Sequence, residues 1–383
     1  MAKTTTLRPA HNPLSRIVVK VGSNVLTARD GLNLDIIQAL SEQICRLLDQ
    51  GMEVILVSSG AMASGMKKMG IARRPDAIPQ RQAIAAVGQA GLILEWENAF
   101  SRFGRQVAQI LLTSDDLTNR KRYLNVRNAM NALLEWKVVP VINENDTIMV
   151  EEIKLGDNDN LAAMITLLLD ADLFINLTDI DGLYDKDPRV HADAELIPRV
   201  ASYSRSIEKF AGEIPGALGT GGMLSKIRAA KKVTASGIPM VIAKGLRPEV
   251  LVQLAAGESH GTFFVPRDRK LNRRKRWIGY TAKPQGTLTV DAGAANALLS
   301  NGKSLLPGGI VGVSGRFSAG AAVTVADAAG NLIGTGLVNY GADKIRIIMG
   351  CKTSEIAARL GQKTYDEVIH RNNLVITGEI AST

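Results

Sequence analysis

Residues 137–178 read KVVPVINENDTIMVEEIKLGDNDNLAAMITLLLDADLFINLT. Two short apolar runs, KVVPVIN at 137–143 and DLFINLT at 172–178, flank a stretch that follows GDNDN and has apolar residues at helical spacing. Nearly continuous apolar runs on either side of a helix are typical of parallel strands that are covered on both faces. The segment therefore predicts a strand–helix–strand unit of an α/β fold.

The same alternation of strand and helix extends in both directions from this segment. It predicts an α/β fold with a mostly parallel sheet flanked by helices, in which ligands bind at the carboxyl ends of the strands. The predicted strands are 16–21, 52–59, 105–113, 137–143, 172–178 and 238–243, and the predicted helices include 32–51, 121–136 and 224–236.

The character of the chain changes near residue 265. RDRKLNRRKR at 267–276 has seven basic residues in ten, a loop-like composition that is typical of a solvated linker, with nucleic-acid contact as the alternative. Beyond it, short strands broken by glycine turns and one helix at 292–301 predict a small β-rich domain. The predicted domains are an N-terminal extension (1–15), a main α/β domain (16–265), a basic linker (266–283) and a β-rich domain with a C-terminal tail (284–383).

Composition narrows the class of protein. The chain has 383 residues, 46% hydrophobic and 22% charged, which is a globular balance, and its net charge of +9 favours an anionic partner. Aromatic residues make up only 4%, which argues against base-stacking platforms. Two distant cysteines, four scattered histidines, no apolar leader and no apolar run of membrane-spanning length predict a cytoplasmic protein with no metal cluster.

The four residues 157–160, Asp-Asn-Asp-Asn, precede the long apolar helix. Asp and Asn satisfy free backbone N–H groups at a helix start, and negative charge suits the positive end of the helix dipole. One capping residue would do this, whereas four in a row after a glycine also suit a binding site. Both interpretations stay open at this point.

Other polar stretches follow predicted strands. Lys20 ends an otherwise apolar strand, so it needs an anionic partner such as a phosphate, unless its ammonium group reaches solvent. Ser59 and the pair Thr178-Asp179 occupy strand–helix turns that a ligand could use or that are turns alone. GALGTGGMLSK at 216–226 places four glycines before a helix-start lysine, which suits phosphate binding but also a flexible surface loop.

Taken together, these stretches resemble the amino acid kinase family, and within it the members that phosphorylate glutamate and carry a C-terminal PUA domain. The resemblance covers the chain except for about fifteen N-terminal residues. The matching stretches are VVKVGSNVL (18–26), VSSGA (57–61), PVINEND (140–146), KLGDNDNLAA (154–163), LTDIDGLYDKDP (177–188), GTGGMLSK (219–226), RKRWI (274–278) and VDAGAANALLSNGKSLLPGGI (290–310).

The resemblance implies ATP-dependent phosphorylation of the side-chain carboxylate of L-glutamate, the first step of proline biosynthesis, with ATP as co-substrate and Mg²⁺ on the nucleotide. It implies that Lys20 and Lys226 contact the transferring phosphoryl group and that Asp159 holds these lysines. By the same resemblance, glutamate is bound by Ser59, Asp146 and Asn158, with Asp146 facing the α-ammonium group. The implied ATP-binding residues are Lys20, Thr178, Asp179, Thr220, Gly221, Gly222, Met223, Leu224, Ser225 and Lys226.

The family resemblance also implies a homo-oligomer, dimer or tetramer, with proline as feedback inhibitor and hand-over of the product to glutamyl phosphate reductase. One alternative is another carboxylate kinase of the same fold, such as acetylglutamate kinase. An alternative of a different class is an RNA-binding protein that acts through the PUA-like domain, for which the few aromatic residues give little support.

Overall fold

The structure, a computed structural model, describes residues 14–28, 31–149, 157–203, 207, 210, 222–267 and 271–377. The chain forms two compact units. The first contains the residues up to 117 and those from 121 to 270, and the second contains residues 118–120 and those from 271 onward. No helix within the described ranges is long and apolar enough to cross a membrane.

The first unit is built on an eight-stranded sheet in the order β5-β6-β4-β1-β7-β9-β10-β8. Neighbouring strands are parallel except for β9 and β10, which are antiparallel. The strands are β1 (Arg16–Val21), β4 (Glu53–Ser58), β5 (Val107–Leu112), β6 (Val139–Glu144), β7 (Leu173–Thr178), β8 (Arg199–Val200), β9 (Met240–Lys244) and β10 (Thr262–Phe264), and a separate small ribbon pairs β2 (Thr27–Ala28) with β3 (Gly31–Leu32).

Helices follow the strands of this sheet. Its central strands are buried except for the first residues of β1 and β4, which are partly buried, and the predicted mostly parallel α/β sheet is confirmed. The helices are α1 (Ser23–Leu26), α2 (Leu34–Asp49), α3 (Ala61–Lys68), α4 (Ile78–Ser101), α5 (Ser114–Thr118), α6 (Arg120–Glu135), α7 (Asp157–Leu169), α8 (Met223–Thr234) and α9 (Val250–Ala255), with a 3₁₀ turn at Asp146–Ile148.

The start of α7 corrects one expectation. The four polar residues 157–160 were predicted to precede the helix, but the helix begins at Asp157 and they form its first turn. Asp and Asn are tolerated there because the first backbone N–H groups of a helix have no partner within the helix. The side chains of Asn158, Asp159 and Asn160 therefore project from a helix and not from a loop.

The second unit is built on a five-stranded sheet in the order β12-β11-β13-β14-β15, in which only the β11–β13 pair is parallel. This confirms the small β-rich region. The strands are β11 (Gly286–Val290), β12 (Ile310–Gly315), β13 (Ala322–Asp327), β14 (Leu332–Leu337) and β15 (Leu374–Ile376), and the helices are α10 (Arg273–Tyr280), α11 (Ala292–Asn301), α12 (Ala342–Ile348) and α13 (Ile356–Leu360), with 3₁₀ turns at Pro307–Gly309, Thr353–Glu355 and Arg371–Asn373.

Helix α10 corrects a second expectation, because the second part of the basic run 267–276 is helical and not a loop. The side chain of Asn272 accepts a hydrogen bond from the backbone N–H of Lys275 and caps the helix. Lys and Arg are good helix formers, so a run of charge does not by itself predict a loop. The apolar residues Trp277 and Ile278 are buried and anchor the helix.

Candidate active site

The carboxyl ends of the central strands bring the polar stretches of the sequence together. In the register of the sheet, Lys20 of β1 lies between Val57 of β4 and Asn176 of β7. Side chains at paired positions of neighbouring strands lie on the same face of a sheet. Lys20 and Asn176 are therefore neighbours on the face to which α7 adds Asp159.

Asp159 is the centre of this cluster and is only 1% exposed. Its Oδ1 lies 2.6 Å from Nζ of Lys20, and its Oδ2 lies 3.1 Å from Nζ of Lys226. The amide of Asn176 donates to Oδ1 at 2.9 Å, and the hydroxyl of Ser225 donates to Oδ2. We call these five residues the lysine cluster; each carboxylate oxygen in it receives one cation and one neutral donor.

The burial of Lys20 excludes the interpretation that its ammonium group reaches solvent, because the residue is only 5% exposed. The pKa of Lys20 is lowered to about 8, mainly by burial and also by the nearby ammonium group of Lys226. The carboxylate of Asp159, by charge and by hydrogen bond, acts in the opposite direction. Lys20 is therefore mostly protonated at neutral pH and titrates just above it.

The pKa of Asp159 shifts in the direction that keeps it ionised. Burial alone would raise this pKa, but the charges of Lys20 and Lys226, together with hydrogen bonds from Lys20 and Ser225, hold it well below its usual range. The three ionised groups carry a net charge of +1 in a buried place. Because an uncompensated buried cation is costly, the cluster favours a further anion.

A second group of polar side chains lies on the β4–β6 side of the cluster. The amide nitrogen of Asn158 donates to Oγ of Ser59 at 3.1 Å and to Oδ1 of Asn143 at 2.8 Å. Its amide oxygen accepts from the backbone N–H of Glu144 at 3.2 Å. Asn158 thus uses its side chain to join α7 to β6 and to the turn that follows β4.

Asp146 lies in the 3₁₀ turn that follows this group. Burial raises the pKa of Asp146, and a hydrogen bond with Gln89 and the charge of Arg74 oppose that rise. Gln89, in α4, also donates to the backbone carbonyl of Glu144 at 3.2 Å, which holds α4 against the same segment. A partly desolvated carboxylate of this kind suits a cationic ligand group.

The end of β7 supplies a third group. Oδ1 of Asp179 accepts from the hydroxyl of Thr178 at 3.0 Å, and Oδ2 accepts from the amide of Asn24 at 3.0 Å. Burial would raise the pKa of Asp179, but hydrogen bonds from Asn24 and Thr178 and the charge of Lys226 lower it. Asp179 also raises the pKa of Lys20, so this group faces the lysine cluster.

The structure gathers most of the predicted site residues at one edge of the sheet. Gly222 precedes α8 as its N-cap, Met223 is buried and Leu224 is partly buried within the first turn, and Thr220 and Gly221 lie outside the described residues. Those brought together around Asp159, Asn158 and Asp179 are Lys20, Ser59, Thr178, Ser225 and Lys226, with Asp146 in the turn after β6.

Four polar residues that contact the predicted site were not assigned to it from the sequence: Asn24, Asn143, Asn176 and Gln89. Asn24 and Asn143 lie in the quoted VVKVGSNVL and PVINEND stretches, and Asn176 is the one polar residue before the last position of the strand LFINLT, the same signal that singled out Lys20. Gln89 gave no signal, because it is one polar residue on a long helix that only tertiary packing brings to Asp146.

The donor set does not form a metal cage. Within the ranges that the structure describes, no group of three or more His, Cys, Asp and Glu side chains is placed to hold a metal ion. The carboxylates at the site are instead bonded to lysine, asparagine, serine and threonine side chains. Their arrangement suits an anionic ligand to which any metal ion is already bound.

Comparisons with known proteins show which family the chain belongs to. Residues 15–244 match the model of the amino acid kinase family, and residues 286–360 match the PUA domain. A protein of Caldanaerobacter subterraneus named glutamate 5-kinase is 52% identical over 94% of this chain and 97% of its own. One of the same name from Syntrophus aciditrophicus is 50% identical over 95% of this chain and 94% of its own. Among solved structures, UMP kinase from Bacillus anthracis covers 68% of this chain and 99% of its own, with 15% identity and a TM-score of 0.47.

Proposed function

The chain belongs to the amino acid kinase family, and we propose that it transfers the γ-phosphoryl group of ATP to the side-chain carboxylate of L-glutamate. The product is L-glutamyl 5-phosphate, and the reaction is the first step of proline biosynthesis. The observation that carries this proposal is the buried pair of ammonium groups, Lys20 and Lys226, held on the two oxygens of Asp159. Relatives named glutamate 5-kinase, about half identical over nearly the whole chain, support the choice of substrate.

The chemistry needs positioning and charge and does not need a base. A glutamate side chain, with a reference pKa of about 4.3, is already ionised at pH 7. One of its oxygens forms a bond to the γ-phosphorus while the bond from that phosphorus to the β–γ bridging oxygen breaks, and ADP leaves with the electron pair. Lys20 and Lys226 offset the repulsion between the two anions and the charge that develops on the transferring oxygens.

The acceptor is bound by Ser59, Asn158 and Asp146 in this proposal. Ser59 and Asn158 are hydrogen-bonded to each other beside Asp159, which puts them next to the lysine cluster. Asp146 meets the α-ammonium group of glutamate, and its partly desolvated carboxylate gains from that cationic partner.

ATP is bound by Lys20, Thr178, Asp179 and residues 220–226. The start of α8 at Met223, after the cap residue Gly222, offers backbone N–H groups and the positive end of the helix dipole to phosphate oxygens. Mg²⁺ bound to the nucleotide supplies further charge compensation at the phosphate oxygens. The protein's part is to hold the two ammonium groups at the phosphoryl group and to fix the acceptor beside them.

The proposal also includes four features beyond the reaction itself. These are a homo-oligomer, feedback inhibition by proline, hand-over of the product to glutamyl phosphate reductase and a cytoplasmic location. The domain boundaries at 16–265 and 284–383 also stay predictions. RNA binding by the PUA domain is the alternative of a different class, and a salt-sensitive shift of a labelled RNA would favour it.

The substrate can be tested by trapping the product. An acyl phosphate reacts with hydroxylamine, so the protein with ATP, Mg²⁺ and hydroxylamine should form glutamyl hydroxamate from L-glutamate. N-acetylglutamate should be slower by about 10²- to 10⁴-fold, because it lacks the positive charge that Asp146 meets. Aspartate should also be poor, because its shorter side chain places the carboxylate away from the phosphoryl group. Equal rates with glutamate and N-acetylglutamate would replace this assignment with an acetylglutamate kinase.

The role of Asp146 has a separate test. Asp146→Ala should raise the KM for glutamate far more than the KM for ATP, because only the amino acid loses a charged partner. Glu135, the last residue of α6, is exposed, so Glu135→Ala serves as a control for the loss of a carboxylate. If the two KM values rise in parallel in Asp146→Ala, Asp146 does not bind the α-ammonium group.

A further inference from the structure

Asn176 is a buried polar residue whose place in the strand needs an explanation. It is fully buried in β7, whose six residues are all buried and are otherwise apolar except at the last position. Its amide nitrogen donates to Oδ1 of Asp159 at 2.9 Å. In the register of the sheet it is the neighbour of Lys20, which contacts the same carboxylate oxygen.

The amide of Asn176 gains nothing else from its position. Its Oδ1 is buried and, among the residues that the structure describes, has no hydrogen-bond donor. An unsatisfied buried oxygen costs free energy, and a leucine of similar volume would avoid that cost. Turning the amide over would point Oδ1 at the carboxylate, so the bond to Asp159 fixes its orientation. That bond is therefore what Asn176 contributes.

The donors to Asp159 fall into two kinds. Lys20 and Lys226 are the cations that face the transferring phosphoryl group in the proposed reaction, so their contacts with Asp159 are shared with the substrate. Asn176 on Oδ1 and Ser225 on Oδ2 are neutral donors; Ser225 also belongs to the proposed ATP-binding segment, whereas Asn176 is assigned to neither substrate. They can hold the plane of the carboxylate while the lysines engage phosphate oxygens.

We propose that Asn176 is a positioning residue that fixes Oδ1 of Asp159 and thereby aims the ammonium group of Lys20 at the phosphoryl group. This inference rests on the proposed kinase function, because it assigns Asn176 a part in the same site. Asn176 acts through Asp159 and does not touch the substrate. Replacing Asn176 therefore weakens the interaction between Asp159 and Lys20 but removes no group that binds glutamate or ATP.

The charged groups that face Lys20 determine the direction in which its pKa should change when Asn176 is replaced. They are Asp159 on α7, Lys226 on α8 and Asp179 after β7. Burial and Lys226 lower the pKa of Lys20, whereas Asp159 and Asp179 raise it. If Asn176 no longer holds Asp159, the raising contribution weakens and the pKa of Lys20 falls further. The alkaline limb of the pH profile then moves to lower pH.

The test compares Asn176→Leu with Ile175→Val, a control on the same strand with its side chain on the opposite face of the sheet. Asn176→Leu should lower kcat by about 10- to 100-fold, the effect of losing one hydrogen bond to a charged group. The KM values for glutamate and ATP should stay within about threefold, and the alkaline limb of kcat/KM for ATP should move to lower pH. Ile175→Val should keep the wild-type kcat and pH profile.

A double-mutant cycle asks whether Asn176 acts through Asp159. Asn176→Leu should have no further effect on kcat in an Asp159→Asn background, because the carboxylate it positions is already gone. Fully additive losses would overturn the inference, as would a kcat and alkaline limb in Asn176→Leu that match those of Ile175→Val. If Asn176→Leu fails to fold, Asn176→Ala, which is smaller than asparagine, takes its place with the same expectations.

A measurement without turnover separates this inference from the proposed function. The pKa of Lys20 can be followed by NMR of its ammonium group in lysine-labelled protein, with the signal assigned from Lys20→Arg. It should be lower in Asn176→Leu than in the wild type and unchanged in Ile175→Val. A wild-type protein that makes no glutamyl hydroxamate overturns the proposed function, whereas an unchanged Lys20 pKa in Asn176→Leu overturns the role of Asn176.

Discussion

Asp159 and Asn160 are adjacent residues of α7 that both bind lysine side chains, and the regions around them differ in charge. Asp159 holds Lys20 and Lys226 in the lysine cluster. The amide oxygen of Asn160 accepts from Nζ of Lys232 at 2.6 Å, and its amide nitrogen donates to Ser114 at 3.0 Å. Within the described part of the chain, the ammonium group of Lys232 pairs with this amide and not with a carboxylate.

The pKa values of Lys20 and Lys232 are both about 8, but for different reasons. Burial lowers the pKa of Lys232 to about 8 with no opposing carboxylate. Burial also lowers the pKa of Lys20 to about 8, but there a second lysine adds to the effect of burial and Asp159 opposes it. A depressed lysine pKa therefore does not by itself mark a functional site. What distinguishes Lys20 is a second cation, a shared carboxylate and a place at the carboxyl end of the central strands.

The largest expected effect comes from replacing the carboxylate of Asp159 by an amide like that of Asn160. Asp159→Asn leaves two buried ammonium groups without their carboxylate, so kcat should fall by roughly 10²- to 10³-fold and the free energy of unfolding by about 3–5 kcal/mol. The KM for glutamate should stay close to the wild-type value. Steady-state kinetics and denaturant unfolding measure both changes.

Asn160→Asp is the matched control, because it places a carboxylate beside Lys232. It should raise the pKa of Lys232 and leave kcat within about twofold of the wild type. Wild-type turnover in Asp159→Asn, or a kcat loss of the same size in Asn160→Asp, would remove the distinction between the two regions.

The next largest effect comes from the lysines themselves. Lys20→Ala and Lys226→Ala should each lower kcat by roughly 10²-fold, since each removes a positioned charge from the transition state. Lys232→Ala, on the same helix as Lys226, should change kcat by less than about twofold. A near wild-type kcat in either of the first two variants would take that lysine out of the proposed reaction.

The pH dependence of activity gives a smaller effect. Lys20 must be protonated to attract phosphate, and its pKa is about 8. The kcat/KM for ATP, which reports the free enzyme, should therefore fall as the pH rises above about 8, by up to about tenfold per pH unit. Lys232→Met should leave this limb in place. A limb that moves in Lys232→Met would show that Lys232, and not Lys20, controls it.

The smallest expected effect is on the pH dependence of folding stability that comes from Lys232, the lysine bound by Asn160. The pKa of Lys232 is lower in the folded protein than its ordinary value of 10.5, so the unfolded chain binds more protons between about pH 8 and 10.5. The contribution of Lys232 to folding stability therefore becomes more favourable as the pH rises through this window. Lys232→Met should remove that dependence and change the free energy of unfolding at pH 7 by about 1 kcal/mol or less, in either direction. Denaturant unfolding at pH 7 and pH 10 would measure the difference, and an unchanged slope with pH would contradict it.

The amino-acid sequence by itself determined six of the eight strands of the main sheet to within a few residues, whereas the short strands β8 and β10 were not predicted. Strands such as β1 and β7 are almost continuously apolar because both faces are covered, and this pattern is local. A lone lysine in such a strand must have a partner, so Lys20 could be assigned to a site from its neighbours in sequence. The family motifs then supplied the roles expected for Lys226, Asp159 and Asp146.

The tertiary structure decided which side chains meet. The start of α7 at Asp157 and the helix at Arg273–Tyr280 depend on caps and packing that composition does not specify. Asn160 stands beside Asp159 in sequence, yet the helix turns the two side chains toward different lysines. Asn176 reaches Asp159 because β7 lies next to β1 and α7 packs on that sheet. The partners of Asp159 lie between 17 positions (Asn176) and 139 positions (Lys20) from it in the sequence. Only the folded chain brings them within hydrogen-bond distance of one carboxylate.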